Sequence, residues 1–596
     1  MTQTFFSIIT AIIMLFAPIF GCGQNTALPV GLAEEKEPTL DEYTDADRVD
    51  GVGGSIFYVK RPNKRKYNTV YASAFGVNGN AYDNYDALCK AIEYCAENEY
   101  TRLVFEPGNY YFRTETPVLV SGLRNTVIDG NGAVFVFSHA DYFNVDNCEC
   151  IEFANISVKW NDENGRLSSI VKISDADEKN HSFNLIFTEL KEVSEDIQFG
   201  AFTQYDARTL TPGTRGGVKE NYIYSNPEII KSVEKVGSNV LKITHNGALD
   251  DYENGDVFLL RHHVYGGNVF NVTASSNVTF DGINILSAAG MGWLITDRCE
   301  RFQLLNCSVD IDGSADSERI SSTADAVHIA NTNGHFRIDG CSFGFMGDDA
   351  VNVHDNLSVV SEITGSASAM LSTNAPNINP GDDVEFFGDR FETLGFTAVV
   401  VSFDGKTAVF DKDLPSYIKS DCIVVNRSID SGNYVITDNR VHENRARGFL
   451  LQSSNGLCAD NSFYKTMGNA IKVVTDISSG LWLEGTGANL LEIKDNSFTD
   501  CNISDWGAQI VISSNIDGHT AARAIFSNVT VSGNTFTDGM GEMLNASNVN
   551  GLTFIKNTAT GTKAQVILGK HCSRVTVKDN TAPLSPLGCT VYFRFK

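Results

Sequence analysis

Short runs of alternating apolar and polar residues recur along the chain, and many close on an asparagine. The frame apolar-x-apolar-x-x-Asn-x-apolar appears in YVITDNRV, LEIKDNSF, VTVSGNTF, LTFIKNTA and VTVKDNTA, and more loosely in GLCADNSF, FRIDGCSF and FQLLNCSV. Aligned on the asparagine column, these phrases give Cys307, Cys341, Asn439, Asn461, Asn496, Asn534, Asn557 and Asn580. Alternation with period two predicts strands. Steps of 22, 23 and 23 residues (Asn439 to Asn461, Asn534 to Asn557, Asn557 to Asn580) predict a repeat of one coil, three short strands and their turns. The expected fold is all-β: a right-handed parallel β-helix. Equivalent residues then stack about 4.8 Å apart, with asparagines bonding along the turns and Ile, Val and Phe filling the bore.

Two segments, about 160–260 and about 357–430, lack the phrase and alternate like antiparallel strands, as in SVVSEI, DDVEFF and FTAVVVSF. They predict two inserted antiparallel β-barrel-like subdomains that shape a cleft on one face. One amphipathic helix, Tyr85 to Asn98, precedes a TRLVFEPGNYYF coil and a D-G-N-G turn. It is placed to cap the open end of the bore, and this order resembles the entry of pectinase-type β-helices. Ahead of it, Phe5 to Phe20 is an apolar run too short to span a bilayer as a helix and suited to a signal segment. It ends in Ile19-Phe20-Gly21-Cys22, the form of a bacterial lipobox. The expectation is a signal peptide over 1–21, lipid attached at Cys22, an acidic tether over 22–50, the β-helix over 51–596, and a lipid-anchored place on the cell surface. An ordinary cleaved signal peptide is the alternative.

Charge narrows the partners. The 596 residues carry 46 Lys+Arg against 73 Asp+Glu, a formal net charge of −27. That field opposes nucleic acid and acidic polysaccharides alike, so a neutral glycan is the better substrate class. The 13 cysteines include no CxxC pair and no regular spacing, so neither a zinc site nor a disulfide framework is signalled, and no metal or cofactor is expected.

A second register exposes the candidate chemistry. Gly292-Trp-Leu-Ile, Ala326-Val-His-Ile, Ala350-Val-Asn-Val, Gly448-Phe-Leu-Leu and Ala470-Ile-Lys-Val align, preceded by Met291, Asp325, Asp349, Arg447 and Asn469. Asp325 and Asp349 thus share a column on successive coils, and Asp348 lies one residue earlier on the turn. Asp325 and Asp349 are placed to hold a water as bases, and Asp348 to act as proton donor. Like charges at that distance raise at least one pKa. A water between base and sugar implies a carboxyl separation on the order of 6.5–9.5 Å, that of inverting glycosidases. Turn capping or calcium binding are the blander readings of such aspartates.

The stretch Thr323-Ala-Asp-Ala-Val-His-Ile to Gly347-Asp-Asp-Ala-Val-Asn-Val-His resembles glycoside hydrolase family 110, bacterial exo-acting α-1,3-galactosidases. The resemblance implies a β-helix with β-barrel insertions and catalytic aspartates at Asp325, Asp348 and Asp349. It also implies inversion, with Asp348 as general acid and the other two activating water. The implied partners are galactose-terminated glycans, of blood group B or linear α-1,3-galactosyl type. Around the aspartates, His328, Asn352 and Lys472 fall in one outward column, with His354 and Gln452 two residues on; these are the candidate contacts to sugar hydroxyls. Arg447 is the cation of the aspartate column, and Trp293 is a candidate sugar-stacking ring. Arg261 and His262, at the exit of the first insertion, are weaker candidates. A family 28 pectin hydrolase shares the three-aspartate idea, but no G-H-G phrase follows here and Ala470-Ile471-Lys472 only faintly echoes R-I-K. A non-catalytic glycan-binding β-helix is the third reading.

Overall fold

The computed structural model describes residues 35–139, 141–313, 318–372, 377–478, 481–582 and 588–594. The expected signal peptide and Cys22 lie outside the described residues. Parallel strands coil along the chain from the strand Asn68–Tyr71 to the strand Thr590–Phe593. One wall is a sheet in which Met291–Ile295, Val327–Ala330, Val351–His354, Phe449–Leu451 and Ile471–Ser478 are successive parallel neighbours. The other strands of each coil, such as Glu300–Leu305 and Ser308–Val309, form the remaining walls. The structure is the expected parallel β-helix.

The asparagine column is a continuous ladder. Each Oδ1 accepts two bonds from the coil before it: Asn461 from the backbone and side-chain N–H of Asn439 at 3.0 and 2.9 Å, Asn496 from those of Asn461 at 2.9 and 3.0 Å. The pattern repeats through Asn534, Asn557 and Asn580. Each Nδ2 also donates to a strand carbonyl, as Asn496 does to Cys458 at 3.1 Å. Cys341 continues the column, its N–H donating to Asn439 Oδ1 at 2.8 Å. The residue before each rung sits at positive φ, as at Asp438, Asp460, Asp495, Gly533 and Asp579. That explains the Asp and Gly in the phrase, which tolerate left-handed backbone better than bulky residues.

Inside the turns the bore is filled by stacks, with Phe463 on Phe498 on Phe536 at 5.0 and 4.8 Å between ring centroids. The helix Tyr85–Glu97 buries Leu88, Ala91, Ile92 and Cys95 in the same core cluster, closing the front end. The expected tether ends earlier than residue 50. Thr44–Asp50 is a strand paired antiparallel with Ile56–Pro62. Val49, Phe57 and Val59 from this hairpin pack on Val435, Leu457 and Ala459 of the coil exterior. The polar look of T-D-A-D-R-V-D hid it: Asp47 answers Arg61, Arg337 and Gln303.

The two interruptions are β subdomains with their own cores. The first is a seven-stranded antiparallel sheet running from Ser168–Asp177 to Val257–Arg261, around Phe183, Leu185, Phe202 and Leu260. The second is a closed six-stranded barrel from Ser358–Gly365 to Ile423–Asn426, around Val360, Phe386 and Val400. A short strand, Trp482–Glu484, pairs antiparallel with Ile471–Ser478, and its Leu483 packs with Phe387 and Ile423 of the barrel.

Removing one rung leaves several buried groups without partners. Asn496→Ala should cost about 3 kcal/mol, read as a lower urea midpoint at unchanged m-value.

Candidate active site

The aspartate register holds in the structure. Gly292 N–H donates to Asp325 O, Ala326 N–H to Asp349 O and Ala350 N–H to Arg447 O at 3.0–3.2 Å, so these residues stack coil on coil. Strand pairing likewise aligns Leu294, His328, Asn352, Leu450 and Lys472 in one row. Asp348 sits on the turn after Gly347, where a Cβ would stand 2.5 Å from the Thr323 carbonyl oxygen. Only glycine lets the two turns approach so closely.

The three carboxyls converge. One oxygen of each lies within 4.8 Å of the others, about the strand-to-strand spacing that stacked coils impose. Positive charge from two arginines makes this spacing tolerable. Arg447 donates to Asp349 through its backbone N–H at 2.9 Å and its guanidinium at 2.5 Å. Arg445 donates to Asp348 at 2.7 Å and forks onto Glu220 at 3.0 and 3.1 Å. The Tyr265 hydroxyl donates to the other Asp348 oxygen. Asp325 accepts the Asp349 N–H at 3.0 Å and pairs with His328 Nδ1 at 2.7 Å. These guanidinium groups supply the positive charge a cation would otherwise bring. Among the described residues a second group with ligand chemistry, His181, His245 and Asp250, lies in the first insertion. There His245 Nδ1 accepts the Gly247 N–H at 3.1 Å, so the ring proton sits on Nε2, facing Asp250. That group is a hydrogen-bonded cluster.

The environments push the three carboxyls apart. Burial raises Asp349 to about 7, with repulsion from Asp348 and Asp325 adding and Arg447 opposing. Burial also raises Asp325, while its bond to His328 opposes. For Asp348 burial is outweighed by Arg445, Arg447 and the Tyr265 hydroxyl, which hold it below the ordinary carboxylate value. These neighbours push Asp348 down and Asp349 up, so the resting charges favour a proton on the Asp349 side of the cluster. Asp348 is nonetheless the most open of the three, its side chain 14% exposed against 5% for Asp325 and 1% for Asp349.

The surrounding candidates divide. Arg447 is in the site. Trp293 is fully buried in the bore, stacked on Phe270 at 5.9 Å, and offers no face to a sugar. Asn352, His354 and Gln452 are buried as well, and do not form an open outward row. The reason is the strand Trp482–Glu484, whose Glu484 accepts from Gln452 Nε2 at 3.2 Å while Gln452 reaches Asn352 at 3.4 Å. Lys472 keeps partial exposure, its ammonium made less basic by burial and by Arg447. Arg261 is buried and donates to the Thr323 and Gly347 carbonyls at 3.1 and 2.9 Å, bracing the turn behind Asp348. His262 turns away, bonded to Ser169 and Gln198. Tyr265, Glu220 and Arg445 were not singled out in the sequence. Arg445 had a signal, two residues before Arg447 in R-A-R. Tyr265 and Glu220 had none, because the insertion and its return loop lie outside the repeat register.

No family model matches the chain. Among curated proteins, α-1,3-galactosidase A of Shewanella woodyi is 26% identical over 534 residues, spanning 82% of this chain and 85% of that protein. α-1,3-Galactosidase B of Bacteroides thetaiotaomicron is 23% identical over 523 residues, spanning 79% and 82%. The chain is thus similar, over about 80% of its length, to curated proteins named α-1,3-galactosidase. Among solved structures, a family 28 exopolygalacturonase of Yersinia enterocolitica aligns over 91% of this chain and 80% of its own, with 11% identity and a TM-score of 0.39.

Breaking the Arg445 fork strands two largely buried carboxylates, each 14% exposed. Arg445→Met should lose about 3 kcal/mol in urea unfolding, and a loss under about 0.5 kcal/mol would mean that the fork contributes no more than a surface pair.

Proposed function

We propose that the protein is an exo-acting α-1,3-galactosidase that removes terminal galactose from neutral glycans, of blood group B or linear α-1,3-galactosyl type, with inversion. The observation that carries this reading is the convergence of Asp325, Asp348 and Asp349 under two arginines in a chain homologous to α-1,3-galactosidases. Tyr265, from the return loop of the first insertion, leans over one side of the cluster, which suits a pocket for a chain end. In the proposed reaction a carboxylate takes a proton from water as the water oxygen bonds to the anomeric carbon. The glycosidic bond breaks, and its oxygen leaves with the proton of the acid.

The acid has two candidates. Exposure favours Asp348, the only one of the three with an open side; the resting charges favour Asp349. Leaving-group chemistry separates them, since an aryl galactoside with an acidic phenol needs little protonation. If Asp348 is the acid, Asp348→Asn should abolish release from a disaccharide and spare the aryl substrate, while Asp349→Asn loses both. The reverse pattern assigns the proton to Asp349. Release of free galactose from an α-1,3-galactosyl disaccharide, and of no oligomer from polygalacturonate, supports the activity; normal turnover in both variants contradicts it.

We also propose that Cys22 carries the lipid that holds the enzyme at a membrane surface, as its lipobox-like context suggests. Labelled palmitate should enter the expressed wild-type protein and not Cys22→Ala. Equal labelling of the two would contradict the anchor.

A further inference from the structure

The row that was expected to touch sugar hydroxyls contains a different device. His328 pairs through Nδ1 with Asp325 Oδ2 at 2.7 Å, and its Nε2 lies 2.9 Å from His354 Nε2. The two rings stand nearly perpendicular, at 86°, with centroids 4.9 Å apart. They come from successive parallel strands, Val327–Ala330 and Val351–His354, whose register pairs His328 with Asn352 and Ala330 with His354, so the two rings are diagonal neighbours on one face. His354 is 2% exposed and has no open approach to a sugar. Two imidazole Nε2 atoms at this distance share a single proton, one ring donating and the other accepting.

We infer that His328 and His354 are positioning residues: His354 accepts the Nε2–H of His328, and His328, donating at both nitrogens, holds Asp325 as the ionised base that takes the proton of water. This assignment rests on the galactosidase reading above. Both Asp325 oxygens receive N–H groups, from His328 and from the Asp349 backbone, which is the loading of a carboxylate. Each oxygen keeps a lone pair for the water proton.

The charged surroundings agree with a cation at His328. Asp349 faces it from the turn of the next coil, and Glu484 from the strand Trp482–Glu484. The cations Arg447 and Lys472 act on the same Asp349 and Glu484 carboxylates. Burial works against protonation of His328, but its bond to Asp325 and the carboxylates outweigh that and raise it above the ordinary histidine value. Burial drops His354 to about 4, which keeps it the neutral acceptor.

The sign of the pH effect follows. A charged His328 keeps Asp325 ionised to lower pH, so losing the acceptor at His354 discharges His328 and lets Asp325 hold its proton to higher pH. In His354→Leu the acid-side limb of kcat/KM should move up by about one pH unit. At pH 6 kcat should fall on the order of tenfold while KM changes less than twofold. His354→Gln offers an amide oxygen as acceptor and should recover most of the loss. Independently of turnover and of any variant, ring nitrogen NMR on histidine-labelled wild-type protein should show His328, assigned by its absence in His328→Gln, protonated at both nitrogens at pH 7.5. A His328 that titrates like a free histidine overturns the inference, as does an unshifted profile in a folded His354→Leu. A doubly protonated His328 in a protein that releases no galactose sustains the pairing and overturns the activity.

Discussion

The asparagine ladder is the constraint on which the rest of the molecule depends. Each rung ties the turn of one coil to the next through two bonds to one side-chain oxygen and anchors itself to a strand carbonyl. Because the rungs are buried, their polar groups have no alternative partners, and a slip of one residue would strand all of them. The ladder thereby fixes register. A fixed register makes residues far apart in sequence neighbours at the strand-to-strand distance.

The chemistry inherits that register. Asp325 and Asp349 share a column because their strands share a pairing, and His328 meets His354 for the same reason. Three carboxyls within 4.8 Å need counter-charge. Arg447 supplies one part from the column itself. Arg445 supplies another, and it is held in place by Glu220 from the first insertion. The inserted sheet is therefore more than a cleft wall. Through Glu220, Arg261 and the Tyr265 loop it sets the protonation of Asp348 from outside the repeat.

Whatever follows the repeat was legible in the sequence. The ladder positions, the aspartate column and the His328–Asn352–Lys472 row all occur where the phrases place them, and both interruptions fold as β subdomains. Direction was less legible than position. Trp293 sits at the right register but points into the bore, and alternation alone does not say which partners cover a side chain. Nothing in the repeat announces that Trp482–Glu484 doubles back and covers Asn352 of the His328–Asn352–Lys472 row, and His354 and Gln452 two residues on. Likewise the sequence shows Arg447 in the aspartate column but gives no sign that Glu220 holds Arg445 against Asp348.

Direct attack of water on an α-1,3-galactoside at this cluster would invert the anomeric carbon. Proton NMR of a digestion of galactosyl-α-1,3-galactose, followed from the first minutes, reads the anomer released before mutarotation. Inversion gives β-galactose first, with α-galactose appearing only as the free sugar equilibrates. Initial release of α-galactose would contradict it and would make one of the three aspartates a nucleophile.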